Sequence, residues 1–228
     1  MDHILSFTGM LFIVPLALFV YYSGKHLHKN EHTYYIVSAI IALVATVLAV
    51  LAQIGTLGFS LENIPVLYQL IFQGHLTFAF FVLVMFAGGF KKKSKPKIAL
   101  MRVRREMAIL GFIFLIPHAT FLIITALSAL NPTGTIAFLV MIPLFVTSFT
   151  SIRKKMHPLQ WRKLHKWAYL VYLMIYVHLL SINLIAQEDE LRFVRAAIYT
   201  AIFGFYTYLK MKNYILAPKK ESPKSSVK

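Results

Sequence analysis

The sequence predicts an all-α fold, a polytopic transmembrane bundle of about seven helices. Hydrophobic residues make up 58% of the 228-residue chain, charged residues make up only 14%, and the mean hydropathy is +0.68. A soluble domain usually carries about 25% charged residues. The apolar runs are continuous, without the polar and apolar alternation of barrel strands, which favours membrane helices. The basic residues are also concentrated in alternate connections between these runs.

Each predicted span is an apolar segment close to the about 20 residues that a membrane helix requires. The last segment is the shortest, and Arg195 lies near one of its ends, where a long side chain can reach the membrane interface. The seven segments are residues 4–22, 33–54, 64–90, 107–130, 134–151, 167–186 and 193–209.

The distribution of the basic residues predicts the topology. Residues 91–105 hold eight lysines and arginines, 153–166 hold six, and the tail from position 210 holds six, whereas residues 55–63 and 131–133 hold none. This alternation follows the positive-inside rule, so we expect a multi-pass protein of the cell membrane with the N-terminus outside and the C-terminus in the cytosol. The net charge of +16 is explained by topology and anionic lipid, with a docking surface for a phosphorylated cofactor or acidic partner as the alternative. Nucleic acid is not an expected partner.

Two histidines are predicted to lie at depth in the membrane. His118 follows Arg105 by 13 residues and His178 follows Lys163 by 15, so on rising helices both stand about 20–22 Å above the basic connections. Ionisable residues are costly in hydrocarbon and indicate function by default, and imidazole is a common axial ligand of haem iron. The sequence therefore predicts one haem between the fourth and sixth spans, with His118 and His178 as iron ligands.

Three further residues on these spans fit such a site. His75 lies 15 residues before Phe90 on a descending span, at a similar height, and is the reserve candidate as a ligand or as a wall of the site. Gly111 lies two turns before His118 and could make room for a macrocycle, although close helix packing is the simpler reason for either Gly111 or Pro117.

The chain has no cysteine, which excludes thiolate ligation, iron–sulfur clusters and covalently attached haem.

A second, inner site is weighed at the basic end of the same spans. His165 lies 13 residues before His178, so on an ideal helix the two rings point about 140° apart. The fourth span offers Arg104 and Arg105 at this level rather than another imidazole. These residues could bind an anionic group such as a flavin phosphate or a haem propionate. The alternative is that His165 is a solvated interfacial residue.

The first connection carries a histidine cluster that could be drawn as a metal site. His26, His28 and His32 occur there with Glu31. Because there is no cysteine and no recurrent zinc spacing, a solvated loop is the preferred interpretation.

Two motifs resemble the ferric reductase-like transmembrane domain. The resemblance covers residues 64–209 and is strongest to the short branch typified by the haem-binding membrane subunit of the bacterial methionine sulfoxide reductase system. It implies a six-helix core with b-type haem, electrons from quinol or a flavin reductase, and an extracytoplasmic redox protein as acceptor. Haem-ligand roles for His118, His165 and His178 are implied as well. The matching residues are Arg104-Arg105, Gly111 and His118, then Leu164-His165-Lys166-Trp167-Ala168-Tyr169-Leu170 and His178, with Gly74-His75-Leu76 on the third span.

The chain departs from that family at both ends. Residues 1–32, with the first span, are expected to be additional to a haem domain at residues 33–211, and residues 212–228 are expected to form a disordered basic tail. No flavin and nicotinamide domain follows the last span, so we expect an external donor, with FMN or quinone as further cofactors. The competing hypothesis is a non-redox transporter subunit or assembly factor whose histidines hydrogen-bond between helices.

Overall fold

The structure confirms an all-helical protein over the residues that it describes. It is a computed structural model, and it describes residues 7–125, 131–186 and 189–216. Every regular element within these ranges is helical. The predicted disordered tail 212–228 begins inside the last helix, Arg192–Ile215, so the expected disorder is wrong for residues 212–215. Residues 217–228 of that tail, the start of the predicted span 4–22 and the end of the predicted span 107–130 lie outside the described residues.

The helices follow the predicted apolar segments in order. The first group is α1 (Thr8–Lys29), α2 (Glu31–Gln53), α3 (Pro65–Leu67), α4 (His75–Gly89), α5 (Lys95–Arg102) and α6 (Arg104–Thr125). The second is α7 (Pro132–Val146), α8 (Thr150–Arg153), α9 (Pro158–Leu164), α10 (Ala168–Ser181) and α11 (Arg192–Ile215). A π-helical turn at Tyr68–Phe72 continues α3, and another at Ile182–Ala186 continues α10.

Four helices of the described residues are long and apolar enough to cross a membrane, and a fifth span arises if the bent pair Pro65–Phe72 and His75–Gly89 is counted as one. Helix α7 has 15 residues, about 22 Å, which is short for a hydrocarbon core of about 30 Å. Helix α11 is not among the apolar candidates, because arginines and lysines lie near both of its ends. The chain is therefore a multi-pass helical membrane protein.

The predicted third span is broken between Phe72 and His75. Gly74 has φ +76°, a left-handed conformation that favours glycine, and the two halves meet at 46°. The π-helical turn before the break bonds Gln73 N to the Tyr68 carbonyl and Gly74 N to the Ile71 carbonyl. Neither bond uses the carbonyl of Phe72, which becomes available to another helix.

Helix α4 is the centre of the bundle. It is apolar on all sides, with a mostly buried surface, and it packs against α1, α5, α6 and α11. Outside it, α2 packs on α6, and α10 packs on α7 and α11. Helix α1 contributes buried Leu16, Val20 and Leu27 to the main core. A helix that is apolar all round requires this enclosed position.

Candidate functional site

A partly open cavity lies at the end of the bundle away from the basic connections. Its volume is about 360 Å³, within the range of cofactor pockets. Three imidazoles line it, from His75 at the start of α4, His118 on α6 and His178 on α10. His118 lies close enough to the other two to interact electrostatically with each. The structure thus brings together the two predicted haem ligands and the reserve candidate.

His118 is oriented by the break in the third span. Its Nδ1 lies 2.6 Å from the carbonyl oxygen of Phe72, so Nδ1–H donates to this oxygen. The proton on Nδ1 leaves Nε2 as the nitrogen with a free lone pair, which is the usual arrangement of a metal-binding histidine. A Cβ at Gly74 would stand 3.1 Å from the ring. The left-handed conformation of Gly74 therefore leaves the Phe72 carbonyl available to His118. Its missing side chain leaves space for the imidazole ring.

His178 packs against the first turn of α7. A Cβ at Gly134 would stand 2.8 Å from both Nδ1 and Cε1 of His178, closer than real Cβ atoms approach. Nδ1 of His178 is buried and has no hydrogen-bond partner among the described residues. A buried polar atom without a partner is costly, so Nδ1 of His178 requires an explanation.

His75 repeats this arrangement on the opposite wall. A Cβ at Gly9 of α1 would stand 2.9 Å from its ring. Its Nδ1 is also buried and unpartnered within the described part of the chain, as is the hydroxyl of the nearby Thr77. Each cavity imidazole is therefore accommodated by a glycine from a neighbouring element. The sequence interpretation missed these glycines, because the pairing depends on which helices become neighbours.

The three imidazoles fit a bulky cofactor better than a single ion. In the described residues, the one group of three metal-ligating side chains whose ligand atoms come within 4.8 Å of one another lies elsewhere, so the cavity histidines do not converge on one point. Haem iron needs only two axial ligands on opposite faces of a planar group. Two unpartnered imidazoles and one with an available Nε2 supply such ligands, and the residues therefore fit a b-type haem.

A buried arginine closes one side of the cavity. Arg195 is only 4% exposed, so protein rather than solvent surrounds the guanidinium that was expected to reach the membrane interface. Its Nε donates to Asn183 Oδ1 at 2.7 Å, and its guanidinium nitrogens lie 3.0 and 2.5 Å from the carboxylate oxygens of Asp189. Two acceptors satisfy the guanidinium inside the bundle, which removes the reason for it to extend towards water. Sequence reasoning overlooked this pair, although Asp189 precedes Arg195 by fewer than two helical turns.

Gly111 does not belong to the described lining of the cavity. A Cβ there would stand 3.0 Å from Cβ of Phe80 and 3.4 Å from Cζ of Phe81. Gly111 therefore allows α6 to pack closely on α4, the packing role that sequence analysis weighed as the alternative.

His165 lies in a separate cluster near the basic connections. Its Nε2 is 3.1 Å from Thr147 Oγ1, and its ring lies 4.1 Å from the ring of Trp161. Thr147 donates its hydroxyl to the carbonyl of Pro143 at 2.7 Å, so Nε2–H of His165 donates to Thr147. In this tautomer Nε2 is not available to iron. His165 is not among the described residues that line the cavity.

The two arginines of α6 have different partners. Arg104 lies near His165 and Tyr172, as expected for an inner site. Arg105 instead forms ion pairs with Glu31 and with Glu106, the latter at 2.8 Å, and donates to Thr150. Of these two arginines, Arg104 is therefore the one near His165, and Arg153 also lies near that imidazole.

The predicted loop around His28 is wrong, although His26, His28 and His32 are solvent-exposed as expected. Helix α1 continues to Lys29 and α2 begins at Glu31, so these side chains are fixed on adjoining helix ends. His28 Nδ1 lies 2.7 Å from Oε1 of Glu106, a buried residue of α6 that sequence analysis did not consider. A separation of 78 residues hides this contact from any local pattern.

Comparisons with protein-family models, with curated proteins and with solved structures found no match.

Proposed function

We propose that this protein is a membrane b-type haem protein that carries electrons from quinol or a cytosolic flavin reductase to an extracytoplasmic acceptor. A sulfoxide reductase, a flavinylated protein or ferric iron are acceptors of the expected kind. The supporting observation is the cavity that His75, His118 and His178 all line, where the Phe72 carbonyl leaves Nε2 of His118 with a free lone pair.

The proposed ligands are His118 and His178, with His75 as a wall of the same cavity. His118 is held by the Phe72 carbonyl, which sets its tautomer and ring orientation before any ligand arrives. Gly74 and Gly134 keep the two imidazoles close to the backbone of neighbouring helices. A bound b-type haem would supply reversible one-electron chemistry, and the apolar walls from Phe78, Phe81 and Leu115 would exclude water from it.

In the proposed topology all seven segments span the membrane, with the N-terminus outside and the C-terminus in the cytosol. The cavity then lies in the outer half, and the basic connections face the cytosol. Arg104 and His165 are the proposed binding residues for a phosphorylated or quinoid donor, because a guanidinium binds an anionic group through charge-assisted hydrogen bonds. The direction of electron transfer in this arrangement is from inside to outside.

The alternative function is a non-redox membrane protein with structural histidines. It requires the imidazoles to be satisfied by interhelical hydrogen bonds, which is the case for His118 with Phe72 and for His165 with Thr147. Neither function gives a partner to the buried Nδ1 atoms of His75 and His178 among the described residues. The haem function is favoured because three imidazoles line one cavity of cofactor size, which interhelical hydrogen bonds alone do not require.

The absorption spectrum of the purified protein separates the two functions. The full chain is expressed with haem supplied, purified in detergent, and scanned before and after dithionite. We expect a Soret band that shifts on reduction, together with an α band. A colourless preparation from haem-replete cells would exclude the proposed function and leave the structural role.

A further inference from the structure

The second group of buried polar atoms lies at the opposite end of the bundle. Helices α1, α2 and α6 meet there through His28, Glu31 and Glu106, whose ligand atoms all lie within 4.8 Å of one another. The side chain of Glu106 is 1% exposed, that of Glu31 is 18% exposed and that of His28 is 53% exposed. The group is therefore open on the His28 side and closed on the Glu106 side.

One buried oxygen in this group lacks a partner within the described residues. Oε1 of Glu106 accepts hydrogen bonds from His28 and Arg105, whereas Oε2 of the same carboxylate accepts none. Tyr35 lies beside the group, close to both glutamates and to Arg105. An unpartnered buried oxygen requires an explanation, and a missing ion is one of the recognised explanations.

The charges of the group are not balanced. Glu31 and Glu106 provide two carboxylates, and Arg105 provides one permanent positive charge to both. One negative charge therefore lacks compensation while His28 is neutral, and a buried carboxylate is costly without it. A divalent ion bound by both carboxylates and neutral His28 compensates them fully. Arg105, which contacts both carboxylates in this structure, would then leave them, keep its hydrogen bond to Thr150 and extend into the solvent that reaches 26% of its side chain.

We propose that His28, Glu31 and Glu106 bind a divalent transition-metal ion. Zinc binds histidine nitrogen and carboxylate oxygen at about 2.0–2.2 Å, so tetrahedral ligands stand about 3.4 Å apart, within the range of separations from 2.7 Å to 4.8 Å found in this group. The ion displaces the Arg105 guanidinium from the two carboxylates and enters between His28 Nδ1 and Glu106 Oε1. The proton of neutral His28 moves from Nδ1 to Nε2, because Nδ1 must present its lone pair to the metal. The site joins α1, α2 and α6 and is independent of the proposed haem cavity.

The test uses the full chain without an affinity tag, washed with chelator and reconstituted in nanodiscs. Zinc chloride is titrated, and the bound metal is measured by elemental analysis after dialysis. We expect one zinc per chain and a higher unfolding temperature in its presence, because a ligand specific to the folded state stabilises it. If no zinc remained bound after dialysis, the proposal would be overturned. A proton on His28 would then supply the positive charge that balances the second carboxylate.

Ligand variants and matched controls identify the site. His28→Ala and Glu106→Gln are expected to bind zinc at least about tenfold more weakly, since even outer-shell changes cost 10–100-fold. His26→Ala and His32→Ala remove exposed neighbouring imidazoles that are outside the group, and they should bind like the wild type. Because His28 is half exposed, His28→Ala decides the matter even if Glu106→Gln does not fold. Wild-type zinc affinity in His28→Ala would refute the assignment.

Discussion

The imidazole of His178 lies against Gly134 so closely that a Cβ at position 134 would stand 2.8 Å from its Nδ1. Gly134→Ala should therefore displace the ring and lower the haem content of the purified protein, measured as the ratio of Soret to protein absorbance. Gly204→Ala is the matched control, because a Cβ at position 204 meets nothing within 4 Å and alanine favours a helix by about 0.8–1.0 kcal/mol. Equal haem contents in the two variants would show that the position of the His178 ring against Gly134 does not affect haem binding, which would contradict the proposed ligand role of His178.

Gly74→Ala should be more damaging than Gly134→Ala. The substitution forces alanine into a left-handed conformation at φ +76°, which costs about 1–2 kcal/mol, and it brings a Cβ within 3.1 Å of His118. We expect a lower unfolding temperature together with weaker haem binding. Thermal unfolding followed by circular dichroism gives the first quantity and the Soret band gives the second. A stable variant with full haem would show that Gly74 does not set the position of His118.

Replacing the proposed axial ligands one at a time should abolish haem binding. A six-coordinate haem that loses one axial histidine loses a metal bond and its orientation. We expect His118→Ala and His178→Ala to lose the Soret band of the wild type, whereas His26→Ala, an exposed position, should keep it. His75→Ala distinguishes a ligand from a wall, and a retained band with a shifted α maximum is expected. Wild-type haem content in both His118→Ala and His178→Ala would refute the ligand assignment.

Arg105→Ala should lower stability rather than slow electron transfer. The change leaves the 1% exposed carboxylate of Glu106 with His28 alone, and removing one partner of a buried pair costs about 3 kcal/mol. A urea titration in nanodiscs measures the loss, with Arg162→Ala, an exposed arginine, as the control. Similar midpoints for the two variants would show that Arg105 does not compensate Glu106.

Arg104→Ala tests the donor site. Because Arg104 lies near His165 and is not part of the network around Glu106, its removal should slow haem reduction by quinol or reduced flavin about tenfold, the effect of losing about 1.4 kcal/mol of binding. The Soret intensity should stay the same. Stopped-flow absorbance in nanodiscs gives the rates, with Lys163→Ala as the control for nonspecific loss of charge. Unchanged kinetics in Arg104→Ala would show that the donor binds elsewhere.

The sequence by itself determined the helical class and the depths of the histidines. Continuous apolar runs leave no membrane structure other than helices, because backbone groups in lipid need internal partners. A constant rise of 1.5 Å per residue then gives similar heights for His75, His118 and His178, and all three line one cavity. These properties depend only on distance along the chain.

The tertiary structure decided the lateral neighbours of each residue, because helix rotation and packing are set by contacts between distant segments. Gly9 lies against the ring of His75 and Gly134 lies against the ring of His178. Gly111, which was predicted beside the cofactor, packs against α4 instead. Arg105 pairs with Glu31 and Glu106, 74 residues and one residue away in sequence, whereas Arg104 lies near His165 together with Arg153. Glu106 itself lies in the first turn of an apolar helix, and nothing in the local sequence shows that its partner is His28.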